Sequence, residues 1–260
     1  MMKLSNLNKF NKSFVRLGRN YVSKSTSFTH DPYKVSFDKH HIPINNFQRV
    51  LLSIGSAAVA VMNPYRADMV ACLGETTGGY ALEYITSQME KSEEGSQILE
   101  EKPRINSRTL DLDRLRKMPD DTLGKTYINF LDDNKVTPDS RDPVRFVEDI
   151  QLAYVMQRYR EIHDFAHAIL GMNISILGEI TIKWFEAVQN KLPMCYAGGI
   201  FGPLQMNQKE RKDFLKYNLP WALETGRNGG FLMNVYFEKR WEQPIHDLRK
   251  ELNIKPLVIK

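Results

Sequence analysis

Two histidines four residues apart, His163 and His167, with Asp164 directly after the first, are the part of this chain best suited to chemistry. On an α-helix, residues i and i+4 share a face, so both imidazoles can reach one ion. Asp164 lies about 100° further round, at the edge of that face. With this composition, a His-Asp-x-x-His pattern should arise by chance about 0.008 times, so the signal carries information. Glu179 follows His167 by twelve residues, and on one straight helix that is roughly 18 Å, too far to share a metal. Gly171, however, is a stop signal, and Asn173 or Ser175 can cap a second helix. A helix–turn–helix would then fold Glu179 back onto the two histidines. Two imidazoles with two carboxylates suit Zn²⁺, and also Fe²⁺, Mn²⁺ or Co²⁺. No cysteine lies nearby to select zinc by softness.

The helix that must carry the histidines has an apolar stripe of Leu152, Val155, Met156, Tyr159, Ile162, Ala166 and Ile169, with His163 at its rim. A lone histidine there would be an ordinary hydrogen-bonded core residue. Two with two carboxylates on one apolar rim are harder to explain that way, because unpaired buried charge is costly. Asp142-Pro143 reads as the cap and first position of this helix, which runs to Gly171. A second runs from about Ile174 to Asn190.

Helical spacing holds elsewhere too. The pattern predicts helices over 44–62, ended by Asn63-Pro64, and over 76–91 after a Gly74–Gly78 turn. Mixed structure is expected over 92–110, and further helices over 111–118, 121–131, 208–225, 231–241 and 244–252. No repeat and no alternation of strands with crossovers appears. The expected fold is all-α: a single helical domain over 31–260, with the metal-bearing helix–turn–helix at about 142–190.

The charge balance is uneven. The 260 residues hold 36 Lys+Arg and 31 Asp+Glu, a formal net of +5. Residues 1–30 carry Lys3, Lys9, Lys12, Arg16, Arg19 and Lys24 and no acid; taking those six away leaves 30 basic against 31 acidic groups, a net of −1. An acid-free, Ser-rich, basic leader with Leu4, Leu7, Phe10, Phe14 and Leu17 at helical spacing reads as a mitochondrial transit peptide over 1–30. With the basic charge confined there, no nucleic-acid surface is called for. Cys72 and Cys195 both sit in apolar settings, which excludes a disulfide scaffold and points to small buried residues.

The motif and its surroundings resemble the ubiquinone (coenzyme Q) biosynthesis protein four family. The likeness rests on His163-Asp164-x-x-His167 with Glu179 after eleven intervening residues. It extends through Asn63-Pro64-Tyr65-Arg66-Ala67-Asp68-Met69-Val70, Leu73-Gly74-Glu75-Thr76-Thr77-Gly78, Arg158-Tyr159-Arg160-Glu161, Ile176-Leu177-Gly178-Glu179, Lys183-Trp184-Phe185-Glu186-Ala187, Leu192-Pro193-Met194 and Arg240-Trp241-Glu242-Gln243. It covers roughly residues 38–252. The resemblance implies a metal, described as zinc in this family, held by His163, Asp164, His167 and Glu179. It implies a lyase that removes the carbon-1 carboxylate of a polyprenylated 4-hydroxybenzoate, of the 4-hydroxy-3-methoxy-5-polyprenylbenzoate type, with hydroxylation proposed alongside. It also implies a peripheral protein on the matrix side of the mitochondrial inner membrane, working with other ubiquinone-biosynthesis proteins in a multiprotein complex. An older view makes such proteins organisers of that complex: a non-catalytic, metal-stabilised scaffold that binds prenylated lipid.

Other readings of the residues remain open. A zincin-like protease would place Glu where Asp164 stands, and a phosphohydrolase using the His-Asp dipeptide would need an upstream histidine, the nearest being His41. Arg158, Arg160 and Glu161 are candidates to support the metal ligands from behind, or equally solvated helix-face charges. Arg66 and Asp68 are candidates to clamp a polar substrate head, or a surface salt bridge. An apolar tail could lie along Met194–Leu204 or Ile54–Met62, where core packing is as good an explanation. Lys209, Arg211, Lys212 and Lys216 read as an ordinary exposed face. No stretch reaches 18 apolar residues, so the chain is expected to lie on a bilayer rather than span it.

Overall fold

The helix that carries the histidine pair is enclosed by the rest of the chain. In a computed structural model, which describes residues 31–63 and 66–258, it runs over Ile150–Leu170, and every residue from Ala153 to Leu170 is buried. The apolar stripe read from the sequence is therefore one side of a helix enclosed on all sides, the pattern of a central core element. Around it in chain order stand α1 (Lys34–His40), α2 (Asn46–Met62), α3 (Ala67–Thr77), α4 (Gly79–Met89), α5 (Glu93–Glu101), α6 (Leu112–Arg116) and α7 (Leu123–Asn134). The central helix is α8. It is followed by α9 (Ile176–Asn190), α10 (Pro193–Phe201), α11 (Gln208–Asp213), α12 (Leu219–Asn228) and α13 (Ile245–Glu251). No strand occurs among the described residues, so the fold is all-α, and 32–260 cluster as one compact unit. The transit-peptide reading of 1–30 lies outside the described residues.

Aromatic packing fixes α8. Phe165 stacks between Tyr127 of α7, at 4.0 Å, and Phe237, at 4.4 Å, and all three are essentially inaccessible. Burying side chains of this size contributes about 1.5–3 kcal/mol each. The helices α4, α7 and α9 pack against α8, and α9 in turn packs against α10 and α12. Cys72 and Cys195 are buried free thiols, as their apolar settings implied.

Several expected boundaries move. The long helix starts at Ile150 and not at Asp142-Pro143, so the helix–turn–helix spans 150–190. Asp149 is the cap, its carboxylate accepting from Leu152 N at 2.9 Å. The stretch before it stays irregular because side chains take its backbone: Glu75 accepts from Arg145 N and Phe146 N, and Gln157 accepts from Val144 N. Gly74 lies inside α3, not in a turn; it touches Met194, whose sulfur occupies the place a Cβ would need. The break falls instead at Gly78, between α3 and α4. Residues 93–101 form a regular helix, capped by Ser92. The stretch 231–241 has only two short 3-10 turns, Leu232–Asn234 and Phe237–Lys239, because its apolar residues insert into the core from irregular backbone. The stretch 208–225 is α11 and α12 joined by a π-helical turn at Phe214–Asn218.

Candidate metal centre

The turn after α8 sets the site. Gly171 takes φ +69°, the left-handed value that glycine adopts without strain, and ends the helix. Ser175 then caps α9, its hydroxyl accepting from Gly178 N at 3.2 Å while its own N–H donates to Asn173 Oδ1 at 3.1 Å. Gly178 is required here because the Asn173 carbonyl fills the space of a Cβ. This tight start puts Glu179 in the first turn of α9, facing back onto α8.

The result is a compact donor group. Ligand atoms of His163, His167 and Glu179 all lie within 4.8 Å of one another. The two Nε2 atoms are 3.3 Å apart; Glu179 Oε2 is 3.5 Å from that of His163, and Oε1 3.3 Å from that of His167. Each imidazole is fixed through its other nitrogen. His163 Nδ1 lies 2.6 Å from Glu186 Oε1, and His167 Nδ1 lies 3.1 Å from the Met172 carbonyl oxygen. An ionised carboxylate and a carbonyl can only accept, so both Nδ1 atoms carry the proton. The two Nε2 atoms then face each other and Glu179, and with both rings neutral they turn lone pairs toward one point. That is the arrangement a shared cation completes, and the carboxylate behind His163 is the support such ligands usually have.

The electrostatics show how strongly these groups act on one another. Burial alone would raise the Glu179 carboxyl, but hydrogen bonds and charge from His163 and His167 hold it well below the usual range. Burial works the same way on Glu186, and Lys183 and His163 overcome it and hold that carboxyl far below normal. Burial and the Lys183 charge oppose protonation of His163, yet Glu186 and Glu179 win and raise it. Behind Glu186 sits a closed polar cluster: Lys183 Nζ donates to Glu186 Oε2 at 2.8 Å, and the Tyr159 hydroxyl donates to the same oxygen at 2.7 Å. Burial first, then the Glu186 charge, pushes the neighbouring Cys195 thiol up to about 12.

The other sequence candidates go elsewhere. Asp164 is 4% exposed, and its Oδ1 accepts from Arg141 Nη2 at 2.7 Å; the close donor group is formed by the other three. Arg158 pairs with Glu238 and donates to the Val235 carbonyl at 3.1 Å. Arg160 pairs with Glu75 at 2.6 Å and also donates to the carbonyls of Ala71 and Asp142. Glu161 accepts from Arg104 at 2.7 Å and from Ile105 N at 2.9 Å. These three are buried, not solvated, and brace surrounding segments rather than the donor group. Arg66 and Asp68 bond to each other, both about half exposed. The Met194–Leu204 stretch is largely α10, whose Gly199 carbonyl accepts from Trp184 Nε1, while Ile54, Val61 and Met62 of α2 are exposed. Lys209, Arg211, Lys212 and Lys216 are exposed, as expected.

Sequence reasoning passed over Glu186, Lys183, Tyr159 and Arg141. Glu186 was legible: seven residues past Glu179 is two turns, the same face of α9. Arg141 carries no periodic signal, since it comes from irregular backbone.

These features define an all-α protein with a two-histidine, one-carboxylate donor group on a helical hairpin, its histidines buried. The chain belongs to the family described as coenzyme Q (ubiquinone) biosynthesis protein Coq4, whose model matches residues 38–258. It is 50% identical over 246 residues to the mitochondrial ubiquinone biosynthesis protein COQ4 homolog of Bombyx mori, covering 95% of this chain and 94% of the relative. The homolog of the same name from Mus musculus is 51% identical over 83% of this chain and 81% of its own length. A solved structure of a putative ubiquinone biosynthesis protein from Nostoc punctiforme PCC 73102 superposes with a TM-score of 0.63 at 20% identity, over 80% of this chain and 97% of that one, which supports the fold. A role in ubiquinone biosynthesis follows from the family.

Proposed function

We propose that this chain is a metal-dependent lyase that removes the carbon-1 carboxylate of a polyprenylated 4-hydroxybenzoate as CO₂. The observation that carries the reading is the convergence of His163 Nε2, His167 Nε2 and the Glu179 carboxylate within 3.3–3.5 Å of one another. Three borderline-to-hard donors on rigid helices suit Zn²⁺ or Fe²⁺. Such an ion would supply Lewis acidity, orienting an anionic oxygen or polarising it. Asp164, the fourth side chain of the motif, stands beside them with one oxygen on Arg141.

The chain's own residues supply the rest. Glu186 holds the His163 ring and its tautomer, and the Met172 carbonyl does the same for His167. Both histidines are buried while Glu179 is 39% exposed at its side chain, so the group is open on the α9 side. A ring carboxylate entering there leaves water for a site walled by Phe130, which stacks on His167. A proton delivered to carbon 1 lets the para-hydroxyl give up its own as the ring takes the dienone tautomer. CO₂ then leaves carbon 1, its bonding pair returns to the ring, and the oxygen takes back a proton to restore the phenol.

The test is a metal-defined assay: purified protein, one of Zn²⁺, Fe²⁺, Mn²⁺ or Co²⁺ at a time, and a prenylated hydroxybenzoate followed for carboxylate loss. Equal behaviour of wild type and His163→Ala would sink the enzymatic reading. On the same footing we propose a mitochondrial address in residues 1–30 and peripheral attachment on the matrix side of the inner membrane, among other proteins of the pathway. Supporting this, no described helix is long and apolar enough to cross a membrane, and α2 exposes Phe47, Leu51 and Ile54. Release from membranes by high salt alone would argue against apolar attachment.

A further inference from the structure

A carboxylate substrate needs a cation that can still accept a partner, and the cations around the donor group differ in this. Lys183 is already taken: Glu186 and the Tyr159 hydroxyl lie 2.8 and 3.3 Å from its Nζ. Arg160 is shared by Glu75 and two carbonyls. Arg158 leaves Nε without an acceptor, but its side chain is wholly closed from solvent. Arg141 is the exception. It gives Nη2 to Asp164, its Nε is closed from solvent without an acceptor, and, unlike that of Arg158, a third of its side-chain surface is open.

Its location matches. Its partner Asp164 directly follows the ligand His163 on α8, and the Glu179 carboxylate is near enough to act on its charge. The guanidinium therefore stands beside the donor group, on a segment that belongs to neither helix of the hairpin. A planar fork with donors to spare is the side chain best matched to a carboxylate, which it binds through two parallel hydrogen bonds. The charge balance of the site also asks for an anion. Glu186 cancels Lys183 and Asp164 cancels Arg141, so Glu179 alone would face a divalent ion, leaving one positive charge for the substrate to neutralise.

We infer that Arg141 is the specificity-determining residue for the ring carboxylate, gripping the acid group of the prenylated hydroxybenzoate and discriminating it from the decarboxylated phenol. This rests on the acid-binding reading of the site given above. Because Asp164 already shares the guanidinium, the grip is shallow. It selects and orients the carboxylate without holding it so firmly that its loss is opposed. Arg141 thus acts on binding, and its removal should move KM more than kcat.

The experiment measures the affinity of metal-loaded protein for two probes by titration calorimetry: a 4-hydroxybenzoate bearing a short prenyl chain, and the phenol that lacks its carboxyl group. Wild type should prefer the acid. Arg141→Gln should lose the preference by about 10- to 100-fold, with phenol affinity and metal content unchanged, the range expected when a charged hydrogen-bond donor is removed. Arg141→Lys keeps a cation beside Asp164 and tests the fork itself; it should retain the fold and lose a smaller part of the preference. A folded, metal-loaded variant that keeps the wild-type acid-to-phenol ratio overturns the role of Arg141 and leaves the decarboxylase reading standing. Equal binding of acid and phenol by wild type overturns both.

Discussion

The two halves of α8 treat polar groups in opposite ways. Between Arg158 and Glu161, three charged side chains are buried and each is closed by a partner from elsewhere in the chain: Glu238, Glu75 and Arg104. Two residues further on, between His163 and His167, two buried ring nitrogens face each other at 3.3 Å with the Glu179 carboxylate beside them. Equal burial on one helix thus comes with paired charge in one half and a convergence of ligand-type atoms in the other. The first half does structural work, tying the segments around 71–75, 104–105, 142 and 235–238 to the core. The second half is arranged for something the chain itself does not supply.

The comparison breaks most visibly at Arg158. Its guanidinium is fully buried and paired with Glu238. Removing one member of a buried pair strands the other, at a cost of about 3–5 kcal/mol. Arg158→Met should therefore lower unfolding free energy by that order in denaturant melts. The refolded variant should still take up one metal equivalent, because no partner of Arg158 touches the donor group. Loss of metal with stability intact would mean that the two halves are not separate.

Metal should act in the reverse sense. An ion that binds only the folded state stabilises it by about 2.7 kcal/mol at a hundredfold excess over Kd. Wild type and Arg158→Met should both show such an increment on adding the ion, and a chelator should remove it. The double variant His167→Ala/Glu179→Ala should show none, and mass spectrometry should find it without metal. A full load in that protein would dispose of the centre.

A smaller effect separates the ligands from their support. Glu186 touches His163 only through Nδ1, so Glu186→Gln keeps the shape and an acceptor oxygen but loses the charge. Changes of this kind typically cost 10- to 100-fold in metal affinity, about 1.4–2.7 kcal/mol. Competition with a chelating dye should place Glu186→Gln between wild type and the double variant. Affinity equal to wild type would demote Glu186 to core packing.

How far the sequence reached follows from where the information lies. The all-α class, α2, α9 and the return of Glu179 were legible, because helical period and the Gly171 and Ser175 signals act within a few residues. The start of α8 was misplaced by seven residues. Asp142-Pro143 has the local chemistry of a helix start, but Glu75, some seventy residues away, takes the backbone that a helix would use. The same limit hid the roles of Arg158, Arg160 and Glu161. Charges on a helix read as solvated until distant partners are known, and their partners lie 57 to 85 residues off. Arg141 was invisible for the same reason, since only tertiary structure brings it to Asp164.

The smallest effect is expected where an ion pair is open to water on both sides. Arg66 and Asp68 form a two-pronged pair with Arg66 Nε and Nη2 at 2.8 and 2.7 Å from the carboxylate, geometry as good as that of Arg141 with Asp164. What differs is exposure: the side chains are 50% and 47% exposed, against 33% and 6% for Arg141 and Asp164. In water the attraction is screened and the two side chains give up freedom to meet, so exposed pairs contribute little even when well formed. Asp68→Asn should leave the unfolding midpoint, the metal content and the acid-to-phenol binding ratio where they are in wild type. Should Asp68→Asn instead weaken acid binding as much as Arg141→Gln, the polar head of the substrate would lie at the start of α3. Burial would then not be what separates the functional ion pair from the ornamental one.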